Sequence, residues 1–254
     1  MPVLSTVPFV IMVRRRGSYG VDAPYALFGL ACAVVGTVFA GIGVTFGVGI
    51  EFGWIPFAVA AFNLVSVALY LHATWRGKFA VWHGLLDDLG LRGDERLLDL
   101  GCGRGAVLLL AAERLPKGRA VGVDLWRSVD QSGNAISVTE GNAEAEGVRD
   151  RVELRTGDMT ALPFGDASFD VIVSSLAVHN IKGADGRARA IDEAVRVLRP
   201  GGRLLIADIS AADAYRRRLT ELGLADVRLR PLGWRMWWGG PWMSTRAVSA
   251  VKPA

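Results

Sequence analysis

The chain has two cysteines, three histidines and only four lysines in 254 residues. Cys32 lies in an apolar stretch and Cys102 in a glycine-rich turn, a spacing that gives neither a disulfide framework nor a metal site. Four lysines (78, 117, 182, 252) among 29 basic residues leave 25 arginines, and no basic run exceeds Arg14-Arg15-Arg16. That pattern excludes a nucleic-acid-binding tail, and the mild net charge of +4 suits an anionic membrane surface. The most telling absence is of charge itself: Tyr25 to Ile50 carries none, and neither does Phe52 to Leu71.

A bilayer-spanning helix needs about 20 mostly apolar residues. Both uncharged stretches are long enough, and Glu51-Phe52-Gly53 forms a polar break between them. A helical hairpin buried in a soluble core is the alternative, but core helices rarely stay uncharged for so long. The expectation is therefore an N-terminal membrane region, residues 1–78, with two transmembrane helices at about 25–48 and 53–72, followed by a soluble domain at 79–254. Arg14 to Arg16 precede the first span, Arg76 and Lys78 follow the second, and the connecting loop holds only Glu51. Positive flanks stay cytoplasmic, which puts the soluble domain in the cytoplasm of a multi-pass protein of the cell membrane. Trp54, Tyr70 and Trp75 sit near span ends, where aromatic belts form. Gly43 and Gly47 have the small-xxx-small spacing of close helix pairs, within or between chains, or simply reflect a glycine-rich span. Met1–Val13 is apolar but has its charges after it, unlike a cleaved signal, and is expected along the membrane surface.

Beyond Arg92 the pattern alternates. Strands are expected at Arg96–Leu100, Ala120–Asp124, Arg151–Thr156, Phe169–Ser174, Arg203–Asp208, Ala225–Arg230 and Thr245–Val251. Helices are expected near Ala106–Leu115, Asn134–Glu146, Ala188–Leu198 and Ala212–Leu222, with Arg199-Pro200-Gly201-Gly202 as a turn. This alternation gives an α/β, doubly wound, Rossmann-like sheet of seven strands. At its head, Leu97-Leu98-Asp99-Leu100-Gly101-Cys102-Gly103-Arg104-Gly105 reads as a buried strand turning through three alternating glycines into a helix. Nucleotide-like cofactors sit at such turns. A carboxylate at Asp99 suits a cationic or hydroxyl-bearing ligand and repels a pyrophosphate. Gly101-x-Gly103-x-x-Ala106 also fits a loose dinucleotide fingerprint with Asp124 as ribose ligand, so NAD is a competing reading, and Asp99 counts against it.

Further motifs follow in order: Gly122-Val123-Asp124, Gly157-Asp158-Met159 with Leu162-Pro163-Phe164, Ser168-Phe169-Asp170-Val171-Ile172, and Arg196-Val197-Leu198-Arg199-Pro200-Gly201-Gly202. Together with the glycine turn, and over roughly Leu91 to Val251, this series resembles the class I S-adenosylmethionine-dependent methyltransferases, with the flavour of those acting on lipids, quinones and other small molecules. The resemblance implies S-adenosylmethionine as cofactor, no metal, and a cofactor site of Asp99, Gly101, Cys102, Gly103, Gly105, Asp124, Leu125, Gly157, Asp158, Met159 and Ser174. The turn's backbone N–H groups would face the cofactor's carboxylate, Asp99 its ammonium, Asp124 the ribose hydroxyls, and Asp158 with Met159 the adenine. Taken alone, Asp158 would be a turn residue.

His179 follows the fourth strand, where this fold places residues beside the reactive methyl, and is the expected general base. Its bland alternative is a loop cap. Asn180 would orient the acceptor. Trp126 opens a long polar connection (126–134) that would cover the cofactor. Trp234, Trp237, Trp238 and Trp242 crowd nine residues; they pack on the hairpin, sit at headgroup level, or line a pocket for an apolar acceptor. The expected function is methyl transfer to a lipophilic small molecule or lipid by a membrane-bound enzyme. The alternatives are a soluble acceptor with the hairpin as mere anchor, and a cofactor-binding membrane protein without turnover. A pocket open toward the hairpin would favour the enzyme, and a filled one the sensor.

Overall fold

A computed structural model describes residues 15–254; the expectations for Met1–Val13 and Arg14 fall outside them. Two long helices come first, α1 (Pro24–Gly47) and α2 (Ile50–His72). Pro24 opens α1 where its missing N–H costs nothing. The turn between the helices is Val48-Gly49, with Gly49 at φ +140, and not the expected Glu51-Phe52-Gly53; Glu51 sits in the first turn of α2, where a negative charge meets the positive end of the helix dipole. Both helices are long and apolar enough to cross a membrane, and their apolar side chains, such as Phe28, Phe39, Phe46, Trp54 and Phe62, point outward. Gly43 and Gly47 face open space. The helices instead approach closely at Gly41, against the Phe57 ring, and at Gly53, against Thr45.

The helix that begins at Ile50 does not stop at its expected end. It runs through a π-helical turn at Ala73–Gly77 into α3 (Lys78–Asp88), so one rod of 39 residues links the hairpin to the soluble domain. Gly77 is where the backbone at Arg235 crosses this rod, its carbonyl oxygen occupying the space a Cβ would need.

The strands are β1 (Arg96–Leu100), β2 (Arg119–Asp124), β3 (Val152–Thr156), β4 (Phe169–Ser175), β5 (Leu198–Asp208), β6 (Ala225–Pro231) and β7 (Arg246–Val251). They form one seven-stranded sheet in the order β3-β2-β1-β4-β5-β7-β6. The first five are parallel, while β7 runs antiparallel to both β5 and β6. The Arg199–Gly202 turn is absorbed into β5, where the register against β4 shifts between Phe169 and Val171. Helices α4 (Ala106–Glu113) and α5 (Ile136–Ala145) pack with α3 on one face, and α6 (Ala184–Val197) and α7 (Ala212–Glu221) on the other.

Burial follows the residue pattern. Central strands β1 and β4 are covered on both faces and read as continuous apolar runs such as Val171-Ile172-Val173. α4 is buried from Val107 to Ala112 between the sheet and α3, whereas α6 buries only the stripe Gly186, Ala190, Ile191, Ala194 and Val197. The strand order reverses between β1 and β4, and at the carboxyl end of such a switch point a crevice opens.

Candidate functional site

That crevice is a cavity of about 700 Å³, inside the range of roughly 300–1,000 Å³ usual for small-molecule sites. Its floor is the glycine turn after β1. Gly101, Gly103 and Gly105 all have positive φ, at +70, +50 and +84. At Gly101 a Cβ would collide with Ala177, so only glycine leaves the turn in this shape. The turn's N–H groups, expected to face a ligand, are bound internally. Gly101 and Cys102 donate to the Val123 carbonyl, Gly103 to Asp124 Oδ2 (2.8 Å) and Arg104 to Gln131 Oε1 (2.8 Å). Buried donors must be paired, and here the chain supplies the acceptors.

Carboxylates converge on the same space. Asp99, 1% exposed, keeps Oδ1 buried and, among the described residues, without a hydrogen-bond partner. Burial, with the charge of Asp124 alongside, pushes its carboxyl up to about 8. Asp124 ends β2; besides Gly103 it accepts from Trp126 N–H (2.6 Å) and Asn134 Nδ2 (3.1 Å). Asp158 accepts from the backbone and hydroxyl of Thr160, both at 2.8 Å, which hold its carboxyl below the usual range. The turn role expected of an isolated Asp158 is thus real, and the residue lines the cavity as well. Asp130 also lines it, its carboxyl raised by burial.

His179 sits in a short helical turn, Val178–Asn180, just after β4. Its backbone N–H donates to Asp208 Oδ2 (3.0 Å), at the end of β5. Its ring Nδ1 lies 2.5 Å from Asp208 Oδ1, buried and off the line a hydrogen bond needs. Asp208 is 1% exposed and also accepts from Ile209 N–H (2.8 Å) and Tyr215 O–H (3.1 Å).

The other pole of the cavity belongs to the hairpin: Ala23 and Ala26 at the start of α1, Tyr70 near the end of α2, and Lys78. Lys78, 4% exposed, pairs with Asp22 Oδ2 at 2.7 Å. Asp22 Oδ1 accepts from Gln131 Nε2 (2.9 Å), so the strap before α1 reaches back to the glycine turn. Of the tryptophans, Trp238 lines the cavity, donates to Thr245 Oγ1 (2.9 Å) and meets Tyr70 edge-on at 5.4 Å. Trp234 stacks on His72 and Trp242 lies against Phe62, so both pack on the hairpin.

Among the residues expected from the sequence, the cavity gathers Asp99, Gly101, Cys102, Gly103, Asp124, Leu125, Gly157, Asp158, Met159, His179, Asn180 and Trp238. Gly105, Trp126, Ser174, Trp234 and Trp237 stand outside its lining. Ser174 is fully buried and donates to the Leu100 carbonyl, and its neighbour Ser175 faces the space instead. Trp126 Nε1 binds Thr156 Oγ1 (2.9 Å) on the outer side. Sequence reasoning missed Asp22, Tyr70, Lys78, Gln131 and Asp208. Asp208 was findable, since it ends a parallel strand just as Asp124 does; the others come together only through tertiary packing. Among the described residues no cluster of His, Cys, Asp or Glu could hold a metal.

The residues fit a ligand with cationic and hydroxyl groups. The orphaned Oδ1 of Asp99 wants a donor, and the carboxylates around it would repel a pyrophosphate.

Comparison with known proteins agrees. Residues 98–206 match the family model described as a methyltransferase domain. The ubiquinone/menaquinone biosynthesis C-methyltransferase UbiE of Dinoroseobacter shibae is 36% identical over 140 residues, 55% of this chain and 50% of that protein. The chain spans about half the length of the curated relatives it matches. Among solved structures, the [4+2]-cyclase SpnF is similar with a TM-score of 0.55 at 21% identity, over 68% of this chain and 82% of that one. The geranyl diphosphate C-methyltransferase of Streptomyces coelicolor A3(2), solved with Mg2+, geranyl diphosphate and S-adenosyl-L-homocysteine, scores 0.53 at 18% identity, over 67% and 78%. At such identities these likenesses speak for the fold alone, and one of the two is named for a different reaction.

Proposed function

We propose that this chain, which carries a class I S-adenosylmethionine-dependent methyltransferase domain, is a membrane-tethered enzyme that methylates a lipophilic small molecule or lipid. The cofactor of such a domain is S-adenosylmethionine. One observation carries the reading of the acceptor: a single cavity runs from the glycine turn, past His179, to the foot of the apolar hairpin at Ala23, Ala26, Tyr70 and Trp238. An acceptor dissolved in a bilayer would enter there without crossing water. A filled cavity would have favoured a sensor. The UbiE relatives, named for quinone biosynthesis, are consistent with an apolar acceptor.

Membrane anchoring is supported by two long helices, free of charge apart from Glu51 in the first turn of α2, whose apolar side chains face outward. The strap before α1 is bound to the soluble domain: Arg15 pairs with Glu113, Tyr19 O–H donates to Glu146 (2.8 Å), and Ser18 N–H to Asn142 (2.7 Å). The start of α1 and the end of α2 therefore belong on one side of the membrane, as a hairpin requires. With Arg15, Arg16, Arg76 and Lys78 there, that side is the cytoplasmic one. The functional division falls at residues 1–78 and 79–254.

In this reading the bound cofactor supplies a methyl carbon already activated by a sulfonium. The protein's own work is alignment, exclusion of water and movement of one proton. Asp99 would hold the cofactor's ammonium, Asp124 its ribose, and Asp158 with Met159 its adenine. Gly101, Gly103 and Gly157 would let it lie close to the backbone, with Cys102 and Leu125 lining the same space. His179 takes the acceptor's proton, Asn180 orients the acceptor, and Trp238 holds its apolar part. Calorimetric titration of the detergent-purified chain tests the cofactor, with S-adenosylmethionine and NAD in separate cells. Micromolar binding of the first alone is expected; binding of NAD instead would sink the proposal. Transfer of labelled methyl into extracted membrane lipids, and not into the aqueous phase, then tests the acceptor class.

A further inference from the structure

We propose that Asp208 is the positioning residue of the site: it fixes the His179 ring with the proton on Nδ1 and leaves Nε2 bare. The inference rests on the methyl-transfer reading of the same cavity. Asp208 receives three donors, from Ile209 N–H, His179 N–H and Tyr215 O–H, and behaves as an acceptor-only carboxylate. His179 Nδ1 lies 2.5 Å from its Oδ1, is buried, and has no other hydrogen-bond partner among the described residues. Two lone pairs at that distance would repel. A proton on Nδ1 turns the contact into attraction. Nε2 is not among the buried unpartnered atoms, binds no protein group among the described residues, and belongs to a side chain that lines the cavity. It is therefore the nitrogen presented to an acceptor.

A bare Nε2 can only take a proton, so the acceptor must have one to give. In the step, the acceptor's X–H bond breaks and its proton goes to His179 Nε2. The freed pair on X forms the bond to the methyl carbon, and the methyl–sulfur bond breaks with its pair staying on sulfur. The positive charge lost from sulfur then resides on the His179 ring, beside the Asp208 carboxylate that stabilises it. The acceptor class is thus a lipophilic molecule with an acidic O–H or N–H, or a C–H activated by one; a tertiary amine or a thioether is excluded.

The test begins with the full chain in detergent, labelled with 15N-histidine, at pH 8. His179 is assigned by the signal lost in His179→Gln, and the expected pattern is protonated Nδ1 with unprotonated Nε2. Asp208→Asn is expected to reverse it, because the amide N–H turned toward Nδ1 makes that nitrogen accept. Tyr215→Phe removes one donor but keeps the carboxylate, and is expected to leave the tautomer unchanged. Labelled methyl is then offered to 4-nonylphenol and to its methyl ether, which has no hydroxyl proton. The phenol alone is expected to take label, about 100-fold more slowly in Asp208→Asn. That variant's affinity for S-adenosylmethionine and its KM for the phenol are expected to stay within roughly threefold, as for a group acting only in the transition state. Protonated Nε2 in the unmodified chain, an unmoved tautomer in Asp208→Asn, or equal labelling of phenol and ether would overturn the proposal. No label on either, in a chain that binds the cofactor, overturns the acceptor class. Failure to bind S-adenosylmethionine would instead sink the methyl-transfer reading and leave the tautomer standing.

Discussion

Binding a cation beside Asp99 should release a proton. Burial and the neighbouring Asp124 hold the Asp99 carboxyl at about 8, so at pH 7 it carries about 0.9 of a proton. An ammonium placed within reach of its unpartnered Oδ1 favours the anion, and opposite charges at such distances lower a carboxylate by roughly 1–3 units. The expected release at pH 7 is therefore about 0.4 to 0.9 of a proton per site. The sign follows: the bound form holds fewer protons, so affinity rises with pH, by about eightfold from pH 6 to 7 for a three-unit fall. That interval lies below the titration of the cofactor's own α-amino group, at about 7.7–8.0. The assay is calorimetry in phosphate and in Tris, whose ionisation enthalpies differ; the slope counts the protons. Asp99→Asn should show none of this release and a flat pH profile, and the difference between the two proteins belongs to Asp99 alone. Equal release by both, or none by the unmodified chain, would refute the reasoning. The same shift acts on the unliganded fold. Folded Asp99 keeps its proton to about pH 8, against an ordinary value of 3.8, so the stability that protonation contributes is complete below about 4 and lost as pH rises through 8.

Three further outcomes are expected. Gly101→Ala needs a left-handed backbone, costing about 1–2 kcal/mol, and drives its Cβ into Ala177; thermal melts should show lower stability and calorimetry weaker cofactor binding, and unchanged values would contradict the described turn. Trp238→Ala removes a buried ring between Tyr70 and Thr245 and should cost about 3–5 kcal/mol on denaturant unfolding; a loss below 1 would mean the tryptophan loop is not packed on the hairpin. Cys32 points out of α1 while Cys102 is buried with its thiol pushed up, so in vesicles a charged, membrane-impermeant maleimide should label neither until detergent denaturation; rapid labelling of Cys32 would argue against a lipid-embedded α1.

The sheet was legible because its strands announce themselves locally. Val171-Ile172-Val173 and Leu204-Leu205-Ile206 are short apolar runs, and every expected strand appears with its ends within one residue, apart from the early start of β5. The exceptions have physical causes. Pro-Gly-Gly at 200–202 reads as a turn, yet its backbone pairs as a bulge because Gly201 N–H finds the Lys252 carbonyl. Glu51 reads as a break, yet a helix accepts an acid in its first turn. The glycine-turn pole of the cavity was equally legible as a place in the fold, since glycine and aspartate types at strand ends carry their meaning in the local chain. The hairpin pole was not. Lys78 looks like a flanking charge and Asp22 like a loop residue, and only the packed structure turns them into a buried pair beside the cavity.

The same pair bears on why the hairpin and the domain belong to one functional unit. Lys78 starts α3 on the rod that begins as α2, and its partner Asp22 lies two residues before α1. Asp22 holds Gln131, and Gln131 holds the N–H of Arg104 inside the glycine turn. Tyr70, on α2, donates to the Asp22 carbonyl (2.8 Å). Each link is a hydrogen bond between half-buried or buried groups, where a lost partner costs more than it would in water. Both apolar helices are thereby joined, through the side chains of Tyr70, Lys78, Asp22 and Gln131, to the glycine turn of the cavity. A detached anchor would need none of these links, and a linker of any polar sequence would serve it. The continuity of rod, strap and turn is what a site needs if its acceptor arrives from the bilayer and its methyl donor from water.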